Sequence, residues 1–131
     1  MSGRALLDTN IVIGLFAGDP AVVETLEDKT AVFLCVPVMG ELRYGALAST
    51  RAQQNLARLE ELGRAVEVLI CDSETARCYA ELKFKLRKKG RPIPENDVWI
   101  AAIANQHKLT LLSRDSHFHG IEGLEVELMR T

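Results

Sequence analysis

Short apolar runs of strand length alternate along the chain with longer stretches of helical period, and no internal repeat or low-complexity segment interrupts them. That alternation predicts an α/β fold, a central parallel sheet of four to five strands covered by helices. Residues 4–8, 32–36, 66–70 and 110–113 read as strands, and 125–128 as a fifth at an edge. Helices are expected over 11–17, stopped by Gly18-Asp19-Pro20, over 21–28, and over 38–48, opened by Pro37. Thr50 reads as the N-cap of a helix ending at Gly63, with Leu56, Leu59 and Leu62 on one face. Ser73 reads as the N-cap of a helix reaching Gly90, and a Pro-bearing loop, 91–94, leads into a helix over 96–108.

In a parallel α/β sheet the carboxyl ends of strands and the amino ends of the following helices share one edge, where ligands bind. Asp8 ends the first predicted strand, Glu41 lies early in the helix after the second, Asp97 in the first turn of its helix, and Asp115 just after the fourth strand. All four acids therefore fall on the same edge. Each pair at ~5 Å would repel by roughly 3 kcal/mol at an effective dielectric of 20. A divalent cation is the economical remedy, and oxygen donors suit Mg²⁺ or Mn²⁺ better than Zn²⁺. Such a site holds a phosphodiester oxygen, activates water and stabilises the leaving oxyanion. Thr9 and Ser113 are expected to fix carboxylate rotamers, and the amides of Asn10 and Asn96 to orient water or substrate.

Composition narrows the picture. With 131 residues the chain is expected to be a single domain, 1–131, and 47% hydrophobic with 26% charged residues excludes disorder. Sixteen basic against eighteen acidic residues, net −2, exclude whole-molecule electrostatic capture of nucleic acid, so any such role must be local. Cys35, Cys71 and Cys78 are odd in number and lie in or beside apolar runs, which argues for free thiols. The apolar start is too short for a signal peptide and no run approaches a membrane span, so a cytoplasmic protein is expected.

Four motifs carry a family resemblance: Leu6-Leu7-Asp8-Thr9-Asn10, Gly40-Glu41-Leu42-Arg43-Tyr44-Gly45-Ala46, Asn96-Asp97-Val98-Trp99-Ile100-Ala101-Ala102 and Ser113-Arg114-Asp115-Ser116-His117-Phe118. In order and spacing the chain resembles the PIN-domain ribonucleases, most closely the VapC toxins of type II toxin–antitoxin pairs. The resemblance implies a PIN-like three-layer α/β/α fold and an endoribonuclease dependent on Mg²⁺ or Mn²⁺. It also implies a homodimer, neutralised by a cognate VapB-like antitoxin. The family's acidic residues fall on Asp8, Glu41, Asp97 and Asp115, the four that topology selects. Trp99 is bulkier than the pattern leads one to expect.

Other features are secondary. Lys83, Lys85, Arg87, Lys88, Lys89 and Arg91 form a basic strip that reads either as an RNA-phosphate track or as a solvated helix end. Arg43 and Arg114 are candidate phosphate contacts, with a carboxylate salt bridge as the competing role. In His117-Phe118-His119 the Phe is expected to point inward, leaving both imidazoles near the surface and neither holding a metal. Leu42 and Tyr44 are expected in the core or at a dimer contact, and Ile13, Phe16, Leu42 and Leu47 are expected to line a groove for an antitoxin peptide or a second copy. A basic side chain of that peptide would enter the acidic site. Haloacid dehalogenase chemistry wants an Asp where Asn10 stands, and a receiver domain wants an acidic pair and a late Lys that are missing here. The remaining alternative is a PIN-like module that binds RNA or protein without cutting.

Overall fold

The computed structural model describes residues 3–130; Met1, Ser2 and Thr131, the ends of the expected 1–131 range, lie outside the described residues. Apolar side chains assemble five strands into one sheet: β1 (Arg4–Leu7), β2 (Ala31–Cys35), β3 (Glu67–Leu69), β4 (Thr110–Ser113) and β5 (Val126–Leu128). Their spatial order is β3-β2-β1-β4-β5 and every pairing is parallel, with Leu6 opposite Phe33 on one side and Leu111 on the other. Ala5, Leu6, Leu7, Leu111 and Leu112 are at most 1% exposed. Successive strand side chains point to opposite faces, so helices must cover both, which gives the expected three layers.

The covering helices are α1 (Thr9–Phe16), α2 (Pro20–Glu27), α3 (Val36–Leu47), α4 (Ala52–Ala65), α5 (Ser73–Lys88) and α6 (Glu95–Gln106). Helix α6 is the most deeply set, burying Val98, Ile100, Ala101, Ala102, Ile103 and Ala104. Trp99 stacks on Tyr79 of α5 with ring centroids 3.9 Å apart, so its bulk is spent on helix packing.

Several expected boundaries move, each for a local reason. Asp8 leaves the strand because it caps α1 instead, accepting from the Thr9 amide. Val36 leaves β2 to become the first residue of α3, with Pro37 in that helix's first turn. Thr50 is not an N-cap: the end of α3 absorbs Ser49, and Arg51 precedes α4 without a side-chain cap. Gly63 does not stop α4 but lies within it, where an added Cβ would stand 3.4 Å from Met39 Cε of α3. Asp72, not Ser73, caps α5 through a capping box with Thr75. Helix α6 starts at Glu95 rather than Asn96 and ends before Lys108, whose φ of 55° takes the backbone out of the helical region.

Candidate active site

Sheet order reverses between β1 and β4: β2 and β3 lie on one side of β1, β4 and β5 on the other. A crevice outside the carboxyl ends of strands opens at such a switch point. Asp8 follows β1 and Asp115 follows β4, while the second turn of α3 and the first turn of α6 bring Glu41 and Asp97 to the same end.

Asp8 is only 4% exposed. Its Oδ1 accepts from the Thr9 amide at 2.8 Å, and its Oδ2 accepts from Ser113 Oγ at 2.6 Å and Asn10 Nδ2 at 3.3 Å. Burial pushes its carboxyl above the ordinary carboxylate range, outweighing the Ser113 and Thr9 hydrogen bonds, and the charges of Glu41 and Asp115 push the same way. Ser113 Oγ also accepts from the Asp115 amide at 2.9 Å. Thr9 directs its hydroxyl to the Glu41 carboxylate, at 2.8 Å from Oε1.

Asp97 and Asp115 converge on His117, whose Nδ1 lies 3.0 Å from Asp97 Oδ2 and 2.9 Å from Asp115 Oδ1. The donor atoms of these three residues all lie within 4.8 Å of one another. Burial raises the Asp97 carboxyl, as do the charges of Asp8 and Asp115, while the His117 hydrogen bond acts in the opposite sense. Hydrogen bonding to Asp97 in turn raises the imidazole. Phe118 is fully buried, as expected, and its anchoring turns His117 onto the two acids while leaving that side chain 47% exposed. His117 is at the surface, as its sequence position predicts, and its contact with both acids is the feature that position alone does not reveal. The signal for it is the pairing of that place, two residues after Asp115, with an apolar neighbour that pins the turn.

Other expected site residues have different tasks. Asn10 bridges the two strand ends rather than facing solvent: it donates to Asp8 and accepts from the Arg114 amide at 3.0 Å. Asn96 makes no side-chain hydrogen bond among the described residues. Arg114 pairs with Asp19 at 2.5 Å with its side chain 16% exposed, and Arg43 pairs with Glu60 at 2.8 Å, so both fill the salt-bridge role. In the basic strip Lys83 pairs with Glu95, Lys89 with Glu122, and Arg91 donates to the His119 carbonyl. Lys85 and Lys88 remain exposed, the latter over the Phe84 ring. Cys35 is buried and its thiol is pushed up to about 12 by that burial; Cys71 is exposed, and all three cysteines are free.

An apolar groove of about 270 Å³ opens beside the acids, lined by Ile13, Phe16, Leu42 and Leu59 with Thr9 and Glu41 at its acidic end. Leu47, expected in that groove, points elsewhere and is 62% exposed, as does Tyr44, at 75%. No helix among the described residues is long and apolar enough to cross a membrane.

Fold and site together define an α/β protein with a cluster of acidic side chains at a sheet switch point. The chain belongs to the PIN domain family, whose pattern matches residues 5–124. It is 33% identical to Ribonuclease VapC5 of Mycobacterium tuberculosis over 129 residues, 95% of this chain and 93% of that protein. Ribonuclease VapC2 of Haemophilus influenzae is also 33% identical, over 114 residues and 86% of each chain. Among solved structures, VapBC2 from Rickettsia felis, bound to a DNA fragment from its promoter, superposes with a TM-score of 0.88 at 26% identity, covering 96% of this chain and 98% of that one.

Proposed function

We propose that this chain is a metal-dependent endoribonuclease and the toxin of a toxin–antitoxin pair. The observation that carries the reading is the convergence of Asp97 and Asp115 beside buried Asp8 at the switch point. Similarity to proteins named ribonucleases, along nearly the whole chain, supports RNA as the substrate. Asp8, Glu41, Asp97 and Asp115 are the residues proposed to hold Mg²⁺ or Mn²⁺ and to act in cleavage. When bound, the ion supplies an activated water and neutralises the phosphodiester oxygens.

The chain's own residues do the positioning. Ser113 and the Thr9 amide hold Asp8 in one rotamer, Thr9 Oγ1 holds Glu41, and Asn10 locks the end of β1 to the end of β4. Rigid support of this kind keeps oxygens in place for an in-line displacement. Lys85, Lys88, Lys89 and Arg91 are proposed RNA-backbone contacts, with Lys89 and Arg91 exchanging their present partners for phosphate. For Arg43 and Arg114 an intramolecular partner is already in place.

The groove of Ile13, Phe16 and Leu42 runs up to Glu41, so a VapB-like peptide seated in it would deliver a basic side chain to the acids. Exposed Val36, Tyr44 and Leu47 on α3 are proposed to meet a second copy, giving a homodimer that acts in the cytoplasm. The test is RNA cleavage by purified protein with Mg²⁺, with Mn²⁺ and with excess EDTA, and growth of a host expressing it with and without its partner. Cleavage that persists in EDTA overturns the mechanism. A host indifferent both to the protein and to Asp97→Ala would favour a non-catalytic binding module.

A further inference from the structure

Asp97 and Asp115 share one neighbour, and it is a single nitrogen. His117 Nδ1 stands 3.0 Å from Asp97 Oδ2 and 2.9 Å from Asp115 Oδ1. The His117 backbone amide also donates to Asp115 Oδ1 at 2.9 Å, so amide and ring engage the same carboxylate. A hard cation shared by two carboxylates stands ~2.0–2.2 Å from each oxygen and uses the lone pairs that face the gap. An N–H directed at those oxygens uses the same lone pairs, and the two cannot be accommodated together. Hard ions also prefer oxygen to imidazole, which disfavours a mixed set. The ring is 47% exposed and sits on a short 3-10 turn, Ser116–Phe118, whose anchor is buried Phe118. It can therefore rotate into solvent while Phe118 stays in the core.

We propose that the His117 imidazole and a divalent cation are alternative occupants of the gap between Asp97 and Asp115, so that cation binding displaces the ring. His117 is then a positioning residue, holding two like-charged side chains at ion-binding separation until the ion arrives. It also lowers the site's affinity for the ion. This inference rests on the metal-dependent reading above.

Calorimetric titration of the full chain with Mn²⁺ alone, without RNA, tests it. His117→Ala should bind Mn²⁺ more tightly, by about three- to tenfold, because no donor need be displaced. His117→Asn, whose amide can donate from nearly the same place, should stay near the parent affinity. Unchanged or weaker binding by His117→Ala overturns the proposal, weaker binding by making the imidazole a ligand. A second measurement needs no variant: in the parent protein, the Nδ1–H proton signal should lose its protection from solvent exchange as Mg²⁺ saturates the site. Protection retained at saturation also overturns the proposal. If the parent protein binds no Mn²⁺, the metal-dependent reading itself fails; if it binds and the Ala variant matches it, only the competition fails.

Discussion

Asp8 and Asp72 hold the same local position, immediately before a helix and accepting from its backbone, yet their carboxyls are driven in opposite directions. Each has several polar groups within hydrogen-bond distance. Asp8 receives Thr9 N, Ser113 Oγ and Asn10 Nδ2, while Asp72 Oδ1 is within hydrogen-bond distance of Thr75 N, Thr75 Oγ1 and Gln106 Nε2. The backbone hydrogen bond from Thr75 holds Asp72 below the ordinary range, because its surroundings are wet. Asp8 is raised because burial outweighs its donors and because Glu41 and Asp115 face it. Hydrogen-bond count does not separate a structural acid from a site acid; desolvation and like charge do.

Exchanging single charges in the two regions tests that separation most strongly. Asp97→Asn should lower RNA cleavage by roughly 10²–10³-fold. Without metal it should also raise stability, by an amount of order 1 kcal/mol, since a raised carboxylate is a liability when ionised. Asp72→Asn should do the reverse, lowering the melting temperature while leaving cleavage per folded molecule unchanged. Asp8→Asn should also abolish cleavage but gain less stability: its new amide would face the Asn10 donor, now 3.3 Å from Oδ2. Thermal melts in EDTA beside cleavage assays measure both effects, and a destabilised Asp97→Asn would break the comparison.

A smaller effect tests the structural side alone. Thr75 is fully buried; its Oγ1 accepts from the Asp72 amide at 3.0 Å and lies 2.6 Å from Gln106 Oε1, closing the cap of α5 onto the end of α6. Thr75→Val keeps the shape and leaves those partners unpaired, at a cost of about 1–3 kcal/mol. Denaturant unfolding should register the loss, and cleavage at permissive temperature should not change.

The same contrast explains what could be read from the chain. Strands β1, β2 and β4 were legible because Ala5-Leu6-Leu7, Val32-Phe33-Leu34 and Thr110-Leu111-Leu112 are short apolar runs, and a parallel sheet forces their ends to one edge. The same rule sends Asp8, Glu41, Asp97 and Asp115 to one end of the sheet. Caps were less legible: Ser73 and Asp72 offer equivalent local signals, settled by the Asp72–Thr75 capping box, while Thr50 carries a cap signal that is not used because Arg51 precedes α4 without a side-chain cap. His117 stayed hidden because its meaning lies in a contact twenty residues back, at Asp97. Asn10 was legible as polar but not as a strap, since its partner Arg114 N is on another strand end.

The smallest expected effect is on the pH dependence of stability without metal. Asp8 and Asp97 are raised above their unfolded value of 3.8, so the stability they contribute is fully present below that value and is lost as pH rises through their folded-state values. His117 is raised above 6.5, so its contribution too is present at lower pH and is lost as pH rises through its folded-state value. These three groups therefore agree: cooling the charge of the site by mild acidification from neutral pH should raise the melting temperature. Asp19, Asp72 and Glu74 are lowered, so their contributions are present above the unfolded values of 3.8 and 4.5 and are lost as pH falls further. The two regions together give a stability maximum in the weakly acidic range. The rise from neutral pH to that maximum should be no more than about 1 kcal/mol, since the site is partly open to solvent. Melts between pH 4 and 8 in EDTA measure it, with ~1 mM Mn²⁺ as the contrast. Asp97→Asn and added Mn²⁺ should each flatten the neutral limb and leave the acid limb in place, because the first removes a site charge, the second neutralises the site, and neither touches Asp19, Asp72 or Glu74. An acid limb that moved with either change would mean that the site and the structural acids are one coupled system rather than two.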